Sequence, residues 1–128
     1  MIVIFLLLLT ELQIKHYVAD YLLQSQWMMA GKGNWRAAGG YAHAGVHSLG
    51  TFMVLLVFGM PIPALLGIVA AEFVIHYGLD YSKVRFTGDV HAATEPRRFW
   101  ALHGLDQLLH HLTYAGIVYV AMLTKGFA

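Results

Sequence analysis

The chain contains four apolar segments, each about as long as a helix that crosses a membrane. The hydrocarbon core of a bilayer is about 30 Å thick, and roughly 20 helical residues are needed to cross it. Turns rich in glycine or proline separate the segments. We expect helices over residues 2–29, 41–58, 63–86 and 97–124. The pattern predicts an all-α fold, a bundle of four transmembrane helices forming one integral membrane domain over residues 1–128.

The composition favours the lipid bilayer as the surrounding medium. Hydrophobic residues make up 59% of the chain and charged residues 12%, whereas soluble domains have roughly 25% charged residues. The net charge of +1 argues against nucleic acid as a partner. Because the chain has no cysteine, disulfides, thiolate nucleophiles and cysteine-based metal sites are excluded. The first segment lacks the basic start and the cleavage site of a signal peptide, so we expect it to be retained.

The distribution of basic residues predicts the orientation in the membrane. Only Lys125 lies on the side of the two termini. The loops over residues 30–40 and 86–96, with the adjoining helix ends, contain Lys32, Arg36, Lys83, Arg85, Arg97 and Arg98. The positive-inside rule places these loops in the cytoplasm and both termini in the periplasm. We therefore expect a multi-pass protein of the bacterial inner membrane.

Polar residues recur at helical spacing in every segment. Residues three or four apart lie on one face of a helix. The spaced sets are His16, Asp20 and Gln24; His43 and His47; Glu72, His76 and Asp80; and His103, Asp106, Gln107 and His110. A charged group that faces lipid near the bilayer centre costs about 2.5–3.5 kcal/mol, so these faces are expected to turn inward. Since the sets lie at similar depth, the spacing predicts a buried His/Asp cluster in the cytoplasmic half.

Imidazole and carboxylate groups together favour a divalent transition metal such as zinc, manganese or iron. The candidate ligands are His16, Asp20, His43, His47, His76, Asp80, Asp106 and His110. The side chains expected to orient ligands or contact substrate are Gln24, Lys32, Lys83 and Gln107. A bound cation acidifies water while carboxylates transfer protons, so Asp20, Asp80 and Asp106 are the candidate catalytic residues of a hydrolase. Its substrate would be lipid-linked or phosphorylated.

Other interpretations of the cluster stay open. Polar residues also form structural hydrogen bonds between membrane helices, and the chain would then be an accessory subunit of a larger complex with other integral membrane subunits. Histidine pairs also ligate haem. Glu11 and Lys15 are expected to form a local pair, and the otherwise apolar periplasmic half argues against a proton pathway. His91, His103 and His111 are interpreted as surface or structural residues.

Four spaced motifs follow one another along nearly the whole chain. They are His16-x3-Asp20-x3-Gln24 with Lys32 downstream, His43-x3-His47, His76-x3-Asp80-x2-Lys83, and Asp106-Gln107-x2-His110. Their order resembles that of a bacterial family of small polytopic membrane proteins of unknown function. The pattern is also similar in style to membrane-bound metal-dependent hydrolases, which have histidine and aspartate in apolar helices. This second resemblance implies a metal-dependent hydrolase, while Glu72, His103 and His111 lie outside the family pattern.

Overall fold

The structure is a computed structural model that describes residues 2–126, so Met1 and residues 127–128 of the predicted domain lie outside it. Within the described residues, all regular secondary structure is helical, which confirms the predicted all-α class. The α-helices are α1 (Ile2–Tyr17), α2 (Gln26–Gly31), α3 (Ala38–Val57), α4 (Ile62–Thr87) and α5 (Pro96–Thr124).

Three helical segments are long and apolar enough to cross a membrane, namely Ile2–Leu22, Ala38–Val57 and Ile62–Thr87. Helix α5 has 29 residues and is the longest of the five, but it carries two arginines, one aspartate and three histidines. These residues reduce its mean hydropathy, and α5 is not among the three segments. The fourth membrane span therefore stays a prediction.

The first predicted helix, over residues 2–29, is interrupted in the structure. Helix α1 continues into a π-helical segment, Val18–Leu22, and the chain is not helical over residues 23–25. The backbone N–H of Leu23 donates to the carbonyl of Val18, the wider spacing of a π-helix. Ser25 then starts α2, because its hydroxyl accepts a hydrogen bond from the backbone N–H of Met28. Asp20 lies within the π-helical segment, and such segments occur frequently at functional sites.

Gly39 and Gly40, which precede the predicted second helix over residues 41–58, lie inside the first turn of α3. A Cβ atom on Gly39 would collide with the carbonyl oxygen of Trp27, and one on Gly31 would lie 2.6 Å from the backbone nitrogen of Gly40. The glycines therefore let the backbone of α2 lie directly against the start of α3. Helix α3 begins at Ala38, before the predicted residue 41.

The helix ends form two groups at opposite ends of the bundle. Lys125 Nζ, just after α5, donates to the carbonyl of Phe58 in the α3–α4 turn. Ile4 of α1 lines a cavity with the same two residues, so the start of α1 lies there as well. At the other end, Lys83 of α4 contacts Asp106 of α5. The start of α1, the end of α5 and the α3–α4 turn thus share one end, and the α2–α3 and α4–α5 connections share the other.

An apolar core fills the half of the bundle that is nearest to the termini. Its buried residues come from α1, α3, α4, α5 and the α3–α4 turn, and they are Leu8, Leu12, Leu55, Met60, Leu65, Ile68, Tyr114, Ile117, Val118, Ala121 and Met122. The other half of the interior is lined by polar side chains, which form the candidate site.

Candidate metal centre

The structure brings the eight predicted ligand residues together in the interior of the bundle. Seven of them are buried, with exposed fractions of 6% or less, and these are His16, His43, His47, His76, Asp80, Asp106 and His110. The side chain of Asp20 is 13% exposed. Neighbouring histidine rings have centroids 3.8–5.6 Å apart. Helices α1, α3, α4 and α5 and the π-helical segment therefore all contribute to one polar cluster, which we call the His/Asp cluster.

One group within this cluster consists of Asp20, His43, His47 and His76. One ligand atom from each residue lies within 4.8 Å of the others, a spacing that could hold a metal ion. Asp20 Oδ1 is 3.0 Å from His47 Nε2 and 3.2 Å from His43 Nε2. The π-helical segment thus carries its carboxylate to the two histidines that α3 presents on one face.

A second group consists of His76, Asp80 and His110, whose ligand atoms also lie within 4.8 Å of one another. Asp80 Oδ2 is 3.5 Å from His76 Nε2 and 3.4 Å from His43 Nε2, while Oδ1 is 3.9 Å from His110 Nε2. Because the two groups share His76 and are bridged by His43, they form one continuous donor set.

The separations between these atoms match those of metal ligands. Four ligands at 2.0–2.1 Å from a tetrahedral zinc ion lie roughly 3.3 Å from one another. The Asp20–His43, Asp20–His47, Asp80–His43 and Asp80–His76 contacts span 3.0–3.5 Å. The donor set therefore has a spacing that could hold a metal ion.

Several atoms of the cluster are buried and have no hydrogen-bond partner within residues 2–126. They are His43 Nδ1, Asp106 Oδ1 and His110 Nε2. Buried polar atoms are normally hydrogen-bonded, because an unpartnered one loses its interaction with water without compensation. A cation among these atoms would supply the missing interactions.

His110 shows how the fold orients a candidate ligand. Its Nδ1 lies 2.8 Å from the backbone carbonyl oxygen of Asp106, an acceptor only, so Nδ1 carries the proton and donates. The lone pair of Nε2 then points towards Asp80. Metal-binding histidines are commonly held in this way, with the distal ring nitrogen donating to a carbonyl or carboxylate.

The two lysines predicted to contact substrate lie at the edge of the cluster. Lys32 Nζ is 3.0 Å from Asp80 Oδ2, and Lys83 Nζ is 2.8 Å from Asp106 Oδ2. The Lys83 side chain is 31% exposed, whereas that of Lys32 is 14% exposed. Each lysine is thus paired with a candidate catalytic aspartate on the side of the α2–α3 and α4–α5 connections.

The two glutamines have different environments. Gln107 Nε2 donates to Asp106 Oδ2 at 3.2 Å, and Gln107 Oε1 lies 3.0 Å from His16 Nε2. Gln24 Nε2 donates instead to the backbone carbonyl of Asp20. Gln107 therefore contacts two predicted ligands through its side chain, while Gln24 contacts only the backbone of one.

The predicted local pair of Glu11 and Lys15 is wrong. Glu11 is exposed, and Lys15 Nζ lies 2.7 Å from Glu72 Oε1 of α4. Glu72 Oε1 accepts a hydrogen bond from Lys15, and the side chains of this ion pair are both buried. The spacing of Glu11 and Lys15 indicated a shared helix face, but Lys15 instead extends across the bundle interior to α4, a helix that does not pack directly against α1.

Tyr114 is a residue of this region that sequence reasoning missed. Its hydroxyl oxygen lies 3.1 Å from His16 Nδ1, 3.2 Å from His47 Nδ1 and 3.1 Å from Lys15 Nζ. The available signal was its position four residues after His110, on the polar face of α5. A tyrosine in an apolar helix is easily taken for a packing residue, and so the signal was weak.

Two predicted ligands, His16 and Asp106, lie outside the two ligand groups of the described chain, and so do His91, His103 and His111. His91 is exposed, and His103 packs beside the rings of Phe99 and Trp100. The His111 ring lies 5.2 Å from the His16 ring in an edge-to-face arrangement. These positions agree with their interpretation as surface or structural residues.

Comparison with known proteins gives one match. A family model described as a protein of unknown function, DUF3307, matches residues 5–127, a range that contains the whole His/Asp cluster. No curated protein and no solved structure matches the chain significantly. The predicted resemblance to a family of unknown function is therefore confirmed, and the chain belongs to the DUF3307 family.

Proposed function

We propose that this protein is an integral membrane protein that binds a divalent metal ion in its His/Asp cluster. The ion would be held by Asp20, His43, His47 and His76, with Asp80 beside them. The observation that carries the proposal is the convergence of buried nitrogen and oxygen atoms at ligand spacing, several of them without a hydrogen-bond partner in residues 2–126. Zinc, manganese and iron suit a mixed imidazole and carboxylate donor set.

The activity we propose for this centre is hydrolysis of a lipid-linked or phosphorylated substrate. A bound divalent ion would supply a Lewis acid that makes water a better nucleophile near neutral pH. Asp80 would accept the proton of that water, because its Oδ2 is buried among the ligand nitrogens. Lys32 and Lys83, at the edge of the cluster, would contact the negative charge of the substrate, each already lying within 3.0 Å of an aspartate.

We further propose that all four long helical segments cross the bacterial inner membrane. Helix α5 contacts α4 at one end through Lys83 and Asp106, and at the other end Lys125 contacts Phe58 in the turn that leads into α4. Because α5 runs antiparallel to α4 along this length, it would cross whatever α4 crosses. The basic residues beside the α2–α3 and α4–α5 connections support a cytoplasmic location for those connections.

Metal content tests the binding proposal directly. Protein purified in a mild detergent is dialysed against zinc and then against metal-free buffer, and its metals are quantified by mass spectrometry. We expect about one equivalent per chain in the wild type and loss of it in Asp20→Asn, which keeps the shape of the side chain but weakens its oxygen as a ligand. The matched control, His91→Gln, removes an exposed histidine and should retain the metal.

A wild-type protein that binds no zinc, manganese or iron would contradict the proposal. The cluster would then be a structural hydrogen-bond network, and a stoichiometric partner copurifying in mild detergent would support the accessory-subunit alternative. A visible absorption band of haem would also contradict the proposal, because the histidines would then ligate haem iron instead of a free divalent ion.

Hydrolysis is tested separately, with zinc-loaded protein and phosphoester and acyl-ester lipids in mixed micelles. We expect the wild type to hydrolyse one of these substrates. Asp80→Asn should lose this activity but keep zinc, because Asp20, His43, His47 and His76 are unchanged. Equal rates in wild type and variant would exclude the proposed role of Asp80.

Membrane topology can be tested because the chain has no cysteine of its own. Single cysteines at the exposed positions Asn34, Asp89 and Thr124 report on three different connections or ends. We expect a membrane-impermeant maleimide to label Thr124→Cys in intact cells and to label the other two only after lysis. Labelling of Asp89→Cys and Thr124→Cys on the same side would show that α5 does not cross.

A further inference from the structure

The hydroxyl of Tyr114 contacts three polar groups from two other helices. Tyr114 is 1% exposed, and its oxygen lies within 3.1–3.2 Å of Lys15 Nζ, His16 Nδ1 and His47 Nδ1. A hydroxyl has one proton to donate and two lone pairs that accept. Its three neighbours must therefore be divided between one donated and two accepted hydrogen bonds.

Lys15 occupies one of the two lone pairs. Its ammonium group has three N–H donors and no acceptor. Three acceptors surround it, namely Glu72 Oε1 at 2.7 Å, Tyr114 Oη at 3.1 Å and the carbonyl oxygen of His47 at 3.2 Å. Because the ammonium can only donate, the Tyr114 oxygen accepts from it, and one lone pair and one O–H remain for the two histidines.

The two Nδ1 atoms must consequently be in opposite states. One accepts the Tyr114 proton, so it carries no hydrogen. The other donates to the remaining lone pair, so it does carry one. Two bare nitrogens would leave one of them unpartnered, and two protonated nitrogens would exceed the acceptor capacity of the oxygen.

Gln107 determines which histidine is which. Its Nε2 donates to Asp106 Oδ2, and this contact places Oε1 towards His16 Nε2 at 3.0 Å. An amide oxygen only accepts, so His16 carries its proton on Nε2 and its Nδ1 is bare. His16 Nδ1 therefore accepts from Tyr114, and His47 Nδ1 is the nitrogen that donates.

We propose that Tyr114 is a positioning residue that holds His16 and His47 in opposite tautomers. In the metal-bound state His47 is thereby kept protonated on Nδ1, and its Nε2, 3.0 Å from Asp20 Oδ1, is the bare nitrogen that binds the metal. His16 orients the network and does not bind. Without a metal, Nε2 of His47 faces a carboxylate oxygen that only accepts and therefore carries a proton, so the tautomer of His47 rests on the proposed function, whereas the proton on Nε2 of His16 does not.

Gly50 leaves the space through which the Lys15 side chain extends to Glu72 and Tyr114. A Cβ atom at Gly50 would lie 2.5 Å from Cγ and 2.7 Å from Cδ of Lys15. The lysine stem therefore passes directly over the glycine to reach Glu72 and Tyr114.

The tautomers can be measured in the wild-type protein. Protein with ¹⁵N-labelled histidine rings is compared by NMR before and after loading with zinc, and single His→Gln variants assign the signals. We expect a proton on Nε2 of His16 in both states, and in the zinc-loaded protein a proton on Nδ1 of His47 with none on its Nε2. In protein that binds zinc, a proton on Nδ1 of His16, or a bare Nδ1 on His47, would overturn this proposal and leave the proposed function standing. Protein that binds no zinc would overturn the proposed function.

Removal of the hydroxyl provides a second test. In Tyr114→Phe we expect the zinc affinity to fall about 10–100-fold, as it does when partners of metal-binding histidines are lost. Tyr119→Phe makes the same chemical change at an exposed position of the same helix and should leave the affinity unchanged. If folded Tyr114→Phe keeps both the wild-type affinity and the His47 tautomer, Tyr114 has only a packing role and the proposal is wrong.

Discussion

The two halves of the bundle interior are equally closed to solvent but are built from opposite chemistry. Leu12 and Leu55 in the half near the termini have exposed fractions of 0%, and so do His43 and His47 in the other half. The apolar half is completed by side-chain packing alone. The polar half contains buried atoms without a hydrogen-bond partner in the described chain.

This difference supports the proposal that the polar half is a binding site rather than a packing layer. Packing in a bilayer rests on van der Waals contact and on hydrogen bonds between helices, since lipid is as apolar as leucine. Polar residues that served only as packing contacts would be expected to satisfy one another. The layer of Lys15, Glu72 and Tyr114 nearly does so, whereas the His/Asp cluster beyond it does not.

The largest expected effect comes from adding metal to the polar half. At a free zinc concentration roughly a thousand times the Kd, binding should raise the free energy of unfolding by about 4 kcal/mol. Thermal unfolding in detergent, with zinc or with a chelator, measures this change. Asp20→Asn should show no such shift, and an equal shift in both proteins would place the ion elsewhere.

A cavity in the apolar half should lower the stability of the protein without changing its zinc content. Leu55→Ala removes a fully buried side chain, and we expect the free energy of unfolding to fall by about 2 kcal/mol, the low end for soluble cores because the bilayer lacks the transfer term. The zinc content of the folded variant should stay at the wild-type value. Loss of zinc from correctly folded Leu55→Ala would show that the two halves are not independent.

The layer between the halves should respond to a single methyl group. Gly50→Ala places a Cβ against the stem of Lys15 and should lower the free energy of unfolding by about 1 kcal/mol, because the ion pair with Glu72 is displaced. Gly45→Ala on the same helix meets no atom within 4 Å and is the matched control. Chemical denaturation of both variants gives the comparison, and equal effects would exclude a specific role for Gly50.

The smallest effect is expected outside both halves. Arg98 and Glu95 form an exposed ion pair at the start of α5, with side chains 60% and 48% exposed. Glu95→Gln should change the free energy of unfolding by no more than about 0.5 kcal/mol, since water screens such pairs. The same denaturation assay checks this, and a clearly larger loss would give this connection a role that its contacts do not explain.

Much of the cluster could be predicted because its residues repeat along single helices. The spacing of His43 with His47 and of His76 with Asp80 places each pair on one face, and burial of a polar face follows from the cost of exposing it to lipid. The helix bounds of α4 and α5 differ from the predicted ones by one residue at most. The paired positions and the helix bounds could therefore be predicted from patterns within single segments.

The missed contacts lie between helices that are far apart in sequence. Lys15 and Glu72 are separated by 57 residues, and Tyr114 is separated from His16 by 98. The interruption around Val18–Leu22 was also missed, because a π-helical segment preserves the apolar character of the chain around it. Hydropathy does not distinguish the two helical forms.

The sequence by itself determined a helical, apolar chain with one polar face on each long helix, because hydropathy and periodicity are properties of neighbouring residues. Only the tertiary structure decided which polar atoms meet, which lysine pairs with which acid, and that one tyrosine joins two histidines. These contacts depend on the rotation and separation of whole helices. Close backbone contacts at glycines, the π-helical segment and the packing of the apolar half set that geometry together, and no single segment contains it.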